Sequence, residues 1–262
     1  MSYIQVHDLS KQYGQGEAAV LAVCGINFGV ASGELIAIMG ESGSGKSTLL
    51  TVMGALNSPG RGKYWVDEIA VYALGHEERA DFRRNHLGFV FQSFHLIPYL
   101  TVQENVMLPL TPVNIRKKEK RARAEEALRR VGLAGKAGRL PSQISGGEQE
   151  RVAIARAVVN KPPILLADEP TGNLDTKNTR EMMNLLQELN SDGMTIIMVT
   201  HNPECAQYAR RILRLSDGLL MAEENGNGID NDRGDARSGI CRPCPGDHTV
   251  QRRQDSGVVM TG

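Results

Sequence analysis

One run, Gly40-Glu41-Ser42-Gly43-Ser44-Gly45-Lys46-Ser47-Thr48, limits what this chain can fold into more than any other stretch. It fits G-x-x-x-x-G-K-[ST], a pattern that carries weight only between a strand and a helix. Here Glu34-Leu35-Ile36-Ala37-Ile38-Met39 precedes it and reads as a buried strand. Ser47-Thr48-Leu49-Leu50-Thr51-Val52-Met53 follows and reads as the first turns of a helix. Glycines let the backbone wrap closely around phosphate oxygens and turn successive N–H groups inward. The helix N-terminus adds partial positive charge. Gly40, Ser42, Gly43, Ser44, Gly45 and Thr48 are therefore candidates for cradling phosphate. Lys46 is placed to reach the β/γ-phosphates as a point charge, and the Ser47 hydroxyl to complete a Mg²⁺ shell. A glycine-rich turn that binds nothing has no need of Lys and Ser at those two positions. The expected ligand is a nucleoside triphosphate.

Charge and hydropathy remove some alternatives. Lys+Arg and Asp+Glu are both 30, so no bulk field points to nucleic acid or an anionic membrane surface. The start, Met1-Ser2-Tyr3-Ile4-Gln5-Val6, shows no charged segment followed by an apolar one, so no signal peptide is expected. Apolar runs such as Ile196-Ile197-Met198-Val199 fall far short of the ~20 residues a spanning helix needs. Cys24 and Cys205 stand alone in apolar segments and read as buried thiols. Cys241-Arg242-Pro243-Cys244, with His248 behind it, has C-x-x-C spacing but no second pair to complete a zinc site, and reduced thiols are the simpler expectation.

Strands are expected at Tyr3–Val6, at Ala19–Val23 and on through Ile26–Phe28, with a loop at Lys11–Glu17. Unbroken apolar runs at 34–39, 163–167 and 195–199 suggest parallel strands buried on both faces. Helical patterns at 46–55 and 177–190 alternate with them. Between Gln92 and Lys161 the pattern turns helical. There the basic run from Arg116 to Arg130 reads as a solvated helix with i,i+4 pairs Glu125/Arg129 and Glu126/Arg130. The expected fold is α/β: a P-loop NTPase core with a parallel sheet, an N-terminal antiparallel β-subdomain, and an α-helical subdomain inserted at about 93–160. It should span 1–222. From Glu223 to Gly262 few large apolar residues remain, and disorder is expected.

A phosphate loop needs a carboxylate for the metal and a group to orient the attacking water. Pro163-Ile164-Leu165-Leu166-Ala167-Asp168-Glu169 offers both, with Asp168 at the strand end toward Mg²⁺ and Glu169 toward the water. Ile144-Ser145-Gly146-Gly147-Glu148-Gln149 leads into a helical run and makes a second anion site without any lysine. Gln92 ends the apolar run Gly88-Phe89-Val90-Phe91, and His201 ends Thr195–Thr200.

In that order, the phosphate loop, Gln92, the Ser-Gly-Gly signature, Asp168-Glu169, Asn173-Leu174-Asp175 and His201 make the chain resemble the nucleotide-binding subunits of ATP-binding-cassette transporters over residues 2–222. The resemblance implies an ATPase using Mg²⁺ and a head-to-tail pair of subunits. ATP on Lys46 of one copy would be capped by Ser145, Gly146 and Gly147 of the other. It implies that Gln92 touches metal and water, His201 contacts the γ-phosphate, Asp175 runs along the dimer seam, and Tyr13 stacks on adenine. Ile144 and Glu148 replace the usual Leu and Gln of the signature. Phe91–Leu96 and Asp168–Asp175 look most like the lipoprotein-releasing and macrolide-export branch. An integral membrane permease and a periplasmic fusion protein are implied partners, with this chain at the cytoplasmic face of the inner membrane and no nucleic acid involved. A related cell-division ATPase would use the same site to signal through a membrane partner without moving cargo. Ser93–Val106 is rich in aromatic and aliphatic residues, and Phe94 and Leu96 are candidates both for packing between subdomains and for a groove that receives the permease.

Overall fold

A computed structural model describes residues 2–226. The expectations for the tail beyond Gly226, including the Cys241/Cys244 pair, lie outside the described residues. Two sheets form. The antiparallel one contains β1 (Ile4–Tyr13), β2 (Val20–Val30), β4 (Arg61–Val66) and β5 (Ile69–Ala70), in the order β2-β1-β4-β5. The second contains β3 (Leu35–Met39), β6 (Leu87–Val90), β7 (Ile164–Asp168), β8 (Thr195–Thr200), β9 (Arg211–Ser216) and β10 (Leu219–Asn225). Its order is β10-β9-β3-β8-β7-β6. It is parallel apart from the β9–β10 hairpin. That hairpin turns at Asp217-Gly218, both at positive φ (49° and 77°), the conformation a tight two-residue turn requires.

The helices are α1 (Lys46–Met53), α2 (His76–His86), α3 (Val102–Met107), α4 (Lys117–Arg130), α5 (Gly146–Val158), α6 (Thr176–Ser191) and α7 (Pro203–Ala206). As expected, the described residues between β6 and β7 contain helices and no strand.

The apolar runs of the parallel sheet are unbroken because each strand feeds two cores. Leu35, Ala37 and Met39 face one side with Leu165, Ala167, Ile196 and Met198, packed against α3–α6. Ile36 and Ile38 face the other with Ile164, Leu166, Ile197 and Val199, packed against α1 and the antiparallel sheet. Alternation along a strand produces both sets, and neither face meets water.

Three local expectations change. The loop expected at Lys11–Glu17 begins only after Tyr13. Register shifts between Val6 and Gln12 let β1 continue, with Lys11, Gln12 and Tyr13 opposite Val23, Leu21 and Val20. β10 continues past Ala222, with Glu223, Glu224 and Asn225 paired to Leu213, Ile212 and Arg211. This polar run still forms a strand because Arg211 and Arg214 hold Glu223 and Glu224 across the hairpin. On α4 the ion pairs are Glu119–Arg123 and Glu126–Arg129, while Arg130 reaches Asp192. Glu125 instead accepts from Gln103 of α3 at 3.0 Å, so neighbouring elements override the intrahelical spacing.

Candidate functional site

Parallel pairing brings three strand ends into one row. Met39 of β3 lies opposite Thr200 of β8, and Asp168 of β7 lies opposite Val199. The loops that leave these ends therefore share one edge of the sheet, where open α/β sheets place ligands. A cavity of about 640 Å³ opens there, lined on one side by the 41–48 loop and on the other by Gln92, Glu169 and His201.

The loop's glycines answer to specific contacts. A Cβ on Gly40 would lie 2.2 Å from the Leu215 carbonyl oxygen, and one on Gly45 only 2.0 Å from that of Ala22, with φ at 96°. Gly45 is also the N-cap of α1 and supplies no side-chain acceptor, so the first N–H groups of that helix remain open. Ser44 Oγ is buried with no hydrogen-bond partner. An unpartnered hydroxyl and open helix N–H groups at one place fit an anion. Lys46 is buried and donates to the carbonyls of Gly40 at 2.8 Å and Glu41 at 2.7 Å. Neutral carbonyls are weak partners for an ammonium, and a phosphate would displace them.

Of the three residues expected from sequence to hold a metal, Ser47 and Asp168 are in contact, and Gln92 is not hydrogen-bonded to either. Ser47 Oγ donates to Asp168 Oδ1 at 3.0 Å. Burial pushes the Asp168 carboxyl above its ordinary value, and the Glu169 charge adds to this. The Ser47 hydrogen bond and Lys46 oppose it. A desolvated carboxylate beside a hydroxyl fits a hard divalent cation whose other ligands are phosphate oxygens and water. Among the described residues no cluster of three or more His, Cys, Asp or Glu forms a metal cage. Mg²⁺ needs no such cage where phosphates complete its shell.

Glu169 is held without freedom. Its φ is 49°, a conformation that costs on the order of 1–3 kcal/mol and persists only where the surroundings hold it. Its N–H donates to Val199 O at 3.0 Å, Oε1 lies 2.9 Å from His201 Nδ1, and the His201 N–H reaches Oε2 at 3.4 Å. This aims the carboxylate at the cavity beside Lys46. Gln92 lines the same side, its main-chain carbonyl accepting from Asn173 Nδ2 at 2.9 Å.

Other expected residues lie elsewhere. Ser145 caps α5: its Oγ accepts from the Glu148 N–H at 3.4 Å, and Glu148 Oε2 accepts from the Ser145 N–H at 2.9 Å. Glu148 also pairs with Lys136, and that contact first, then the Ser145 N–H, hold its carboxyl below the usual value. Asp175 caps α6, accepting from the Asn178 N–H at 2.9 Å and from Nδ2 at 2.6 Å. Tyr13 does not line the cavity. Its hydroxyl accepts from Asn57 Nδ2 at 2.8 Å, and Lys11 Nζ lies 5.1 Å from its ring centroid. Sequence reasoning missed Asn178, the hydrogen-bond partner of Asp175, whose Oδ1 would lie 2.8 Å from a Cβ on Gly147 and so leaves room there only for glycine. Asp-x-x-Asn at a helix start was the signal available. It also missed Asn173 as the link to Gln92, and Ala22, which lines the cavity.

The family described as ABC transporter matches residues 23–172. The ABC transporter ATP-binding protein YvrO of Bacillus subtilis (strain 168) is 46% identical over 224 residues, covering 86% of this chain and 98% of YvrO. The macrolide export ATP-binding/permease protein MacB of Escherichia coli is 43% identical over 223 residues, covering 85% of this chain. The chain spans 34% of the length of that relative. A solved dimer of the ATP-binding cassette MJ0796, in a post-hydrolysis state with ADP and Pi, superposes with a TM-score of 0.80. It is 43% identical and is covered completely, across 86% of this chain.

Proposed function

Because this chain belongs to the ABC transporter family and is an ATPase cassette of that family, we propose that it closes head to tail on a second copy around ATP and Mg²⁺ and thereby drives a separate membrane permease. The observation that carries this reading is Glu169, fixed at positive φ and held by His201 on the cavity wall facing Lys46. Lys46 and the open end of α1 hold the β/γ-phosphates. Ser47 and Asp168, with Gln92, would hold Mg²⁺, and the ion when bound would supply neutralisation of phosphate charge. Glu169 accepts a proton from the attacking water, and His201 keeps the carboxylate aligned and reaches the γ-phosphate. The Ser145 hydroxyl, which only accepts in its helix cap, retains its proton for a phosphate on the second copy.

Two comparisons support the partners: the MJ0796 cassette is dimeric, and MacB joins an ATP-binding part to a permease in one chain. Among the described residues no helix is long and apolar enough to cross a membrane. The groove that suits a permease segment has about 500 Å³ and is lined by Leu87, Phe89, Leu108, Pro109 and Pro112, with Arg83 and Arg84 at its edge. Phe94 and Leu96 do not line it. Leu96 packs against the core on the α3–α6 side, where an aliphatic chain gains more by burial than it would at a rim. MacB is by name a macrolide exporter; the cargo class we favour for this chain is lipophilic molecules or lipoproteins, with the cassette held at the cytoplasmic face of the membrane by the permease.

The test is Glu169→Gln. It should bind ATP as the parent does, form a stable dimer in ATP by size-exclusion chromatography, and lose turnover by at least about 100-fold, the scale of a general-base contribution. Normal hydrolysis by this variant would refute the role given to Glu169.

A further inference from the structure

Two residues in succession after Gln92, Phe94 and His95, have φ of 55° and 48°. A bulky side chain in the left-handed region is strained and stays there only when something else holds it. Two short-range bonds contribute: the Phe94 N–H donates to Phe91 O at 3.0 Å and the His95 N–H to Ser93 O at 2.5 Å. The decisive contact comes from far away in sequence. Arg156 Nη2 donates to Phe94 O at 2.5 Å, and Nη1 donates to His95 O at 2.6 Å. One planar fork therefore takes the carbonyls of both strained residues in a fixed geometry, where a flexible ammonium would hold them less rigidly. Arg156 lies on α5, the helix that begins at Ser145. At the other end of the segment, Asn173 holds Gln92 O.

We infer that Arg156 is a positioning residue for ATP hydrolysis: it clamps the strained Gln92–His95 segment so that Gln92 faces the cavity only while α5 is in register with the core. This rests on the role given to Gln92 above. A half-buried guanidinium released from both carbonyls would lose its hydrogen bonds in a poorly solvated place, so the clamp has a made state and a broken one. When it breaks, φ at Phe94 returns toward negative values and the segment carrying Gln92 rearranges. Arg156 also lines the 500 Å³ groove, so an occupant of that groove touches the clamp directly.

The test uses the full 262-residue chain, without a permease. Arg156→Gln should keep affinity for a non-hydrolysable ATP analogue within about threefold, while kcat falls by tenfold or more, the scale of an ångström-level misplacement. Adding Phe94→Gly should restore kcat at least threefold, because glycine takes positive φ without steric cost. A merely structural arginine would not be rescued by glycine at a residue it touches only through the backbone carbonyl. Unchanged kcat in Arg156→Gln, or a loss that Phe94→Gly does not repair, overturns the inference. If Arg156→Gln does not fold, Arg156→Lys is read instead, with a smaller fall in kcat and the same rescue expected. Gln92→Ala separates the two levels. If it hydrolyses ATP normally, the role of Gln92 fails and takes the clamp with it; if it is impaired while Arg156→Gln is not, only the clamp fails.

Discussion

The two helix N-termini that the proposed site needs, those of α1 and α5, are built in opposite ways. α1 starts at Gly45, which offers no side-chain acceptor, while α5 starts at Ser145 inside a complete capping box with Glu148. Each has a lysine near it. Lys46 is held by the neutral carbonyls of Gly40 and Glu41, whereas Lys136 is paired with the Glu148 carboxylate. The first end is cationic with open donors, and the second has its lysine and the Ser145 and Glu148 N–H groups already paired, leaving those of Gly146 and Gly147. Both carry the partial positive charge of a helix start, so the dipole alone does not distinguish them. The difference lies in the capping residue, and under the proposed function it gives an order of events. The α1 end would take a nucleotide by itself, and the α5 end would add little until a second copy presented it to a phosphate already in place.

The largest expected effect probes that asymmetry. Lys46→Ala should weaken ATP binding to the single chain by about 100-fold, because a charge-assisted contact in a buried place is lost. Ser145→Ala should leave binding by the single chain within about twofold. Isothermal titration below the dimerisation concentration measures both, and equal losses would break the comparison.

A second contrast concerns buried carboxylates. Asp168 and Glu150 both have raised pKa values with burial as the leading cause, but only Asp168 has a hydrogen-bonded partner at Oδ1. Glu150, on α5, has an unpartnered Oε1 and is pushed up to about 8. The folded chain therefore keeps a proton that the unfolded chain releases near its ordinary value of 4.5. Where the folded state binds more protons, stability falls as pH rises, here across the window from 4.5 to about 8. Glu150→Met should remove that slope and raise stability at pH 7 by up to about 3 kcal/mol, with a smaller gain at pH 5. Urea midpoints at the two pH values give the answer. Equal gains at both would show that packing, not ionisation, sets the cost.

The core strands were legible because burial on both faces leaves unbroken apolar runs, as at Leu35–Met39 and Ile164–Asp168. The phosphate loop was legible because its glycines, Lys46 and Ser47 form one contiguous motif, although the carbonyls that Gly40 and Gly45 make room for, those of Leu215 and Ala22, lie far away in sequence. What escaped depends on partners distant in sequence. The polar end of β10 is a strand because Arg211 and Arg214 meet its glutamates, and nothing in Leu219–Asn225 alone reveals them. Arg156 reads as an ordinary helix residue until the structure sets it against Phe94 and His95. Asp217-Gly218 is different: a hairpin turn was written in the dipeptide and passed unread. For the site, the residues on strand ends were recoverable from sequence. The second tier that aims them, Asn173 toward Gln92 and Asn178 toward Asp175, was not, because an Asn in a loop or a first turn has many uses.

The smallest effect tests the closed cap of α5 directly. Ser145→Ala removes the acceptor for the Glu148 N–H and should cost about 1 kcal/mol of stability, the usual worth of an N-cap. In a Glu169→Gln background it should also weaken the ATP-dependent dimer, because the same hydroxyl is proposed to donate across the seam. Glu148→Gln dissects the two contributions. Glutamine still accepts from the Ser145 N–H, so the cap geometry survives, but the charge that pairs with Lys136 is gone. The native Glu148 carboxyl sits below its ordinary value of 4.5, so its contribution is present above that pH and is lost as pH falls through the folded value. The stability difference between parent and Glu148→Gln should therefore shrink as urea melts are taken from pH 7 down toward pH 4. The dimer measured at pH 7 should change less in Glu148→Gln than in Ser145→Ala. If Glu148→Gln weakens the dimer as much as Ser145→Ala does, the carboxylate and not the hydroxyl governs the α5 end, and that end is less finished than its cap implies.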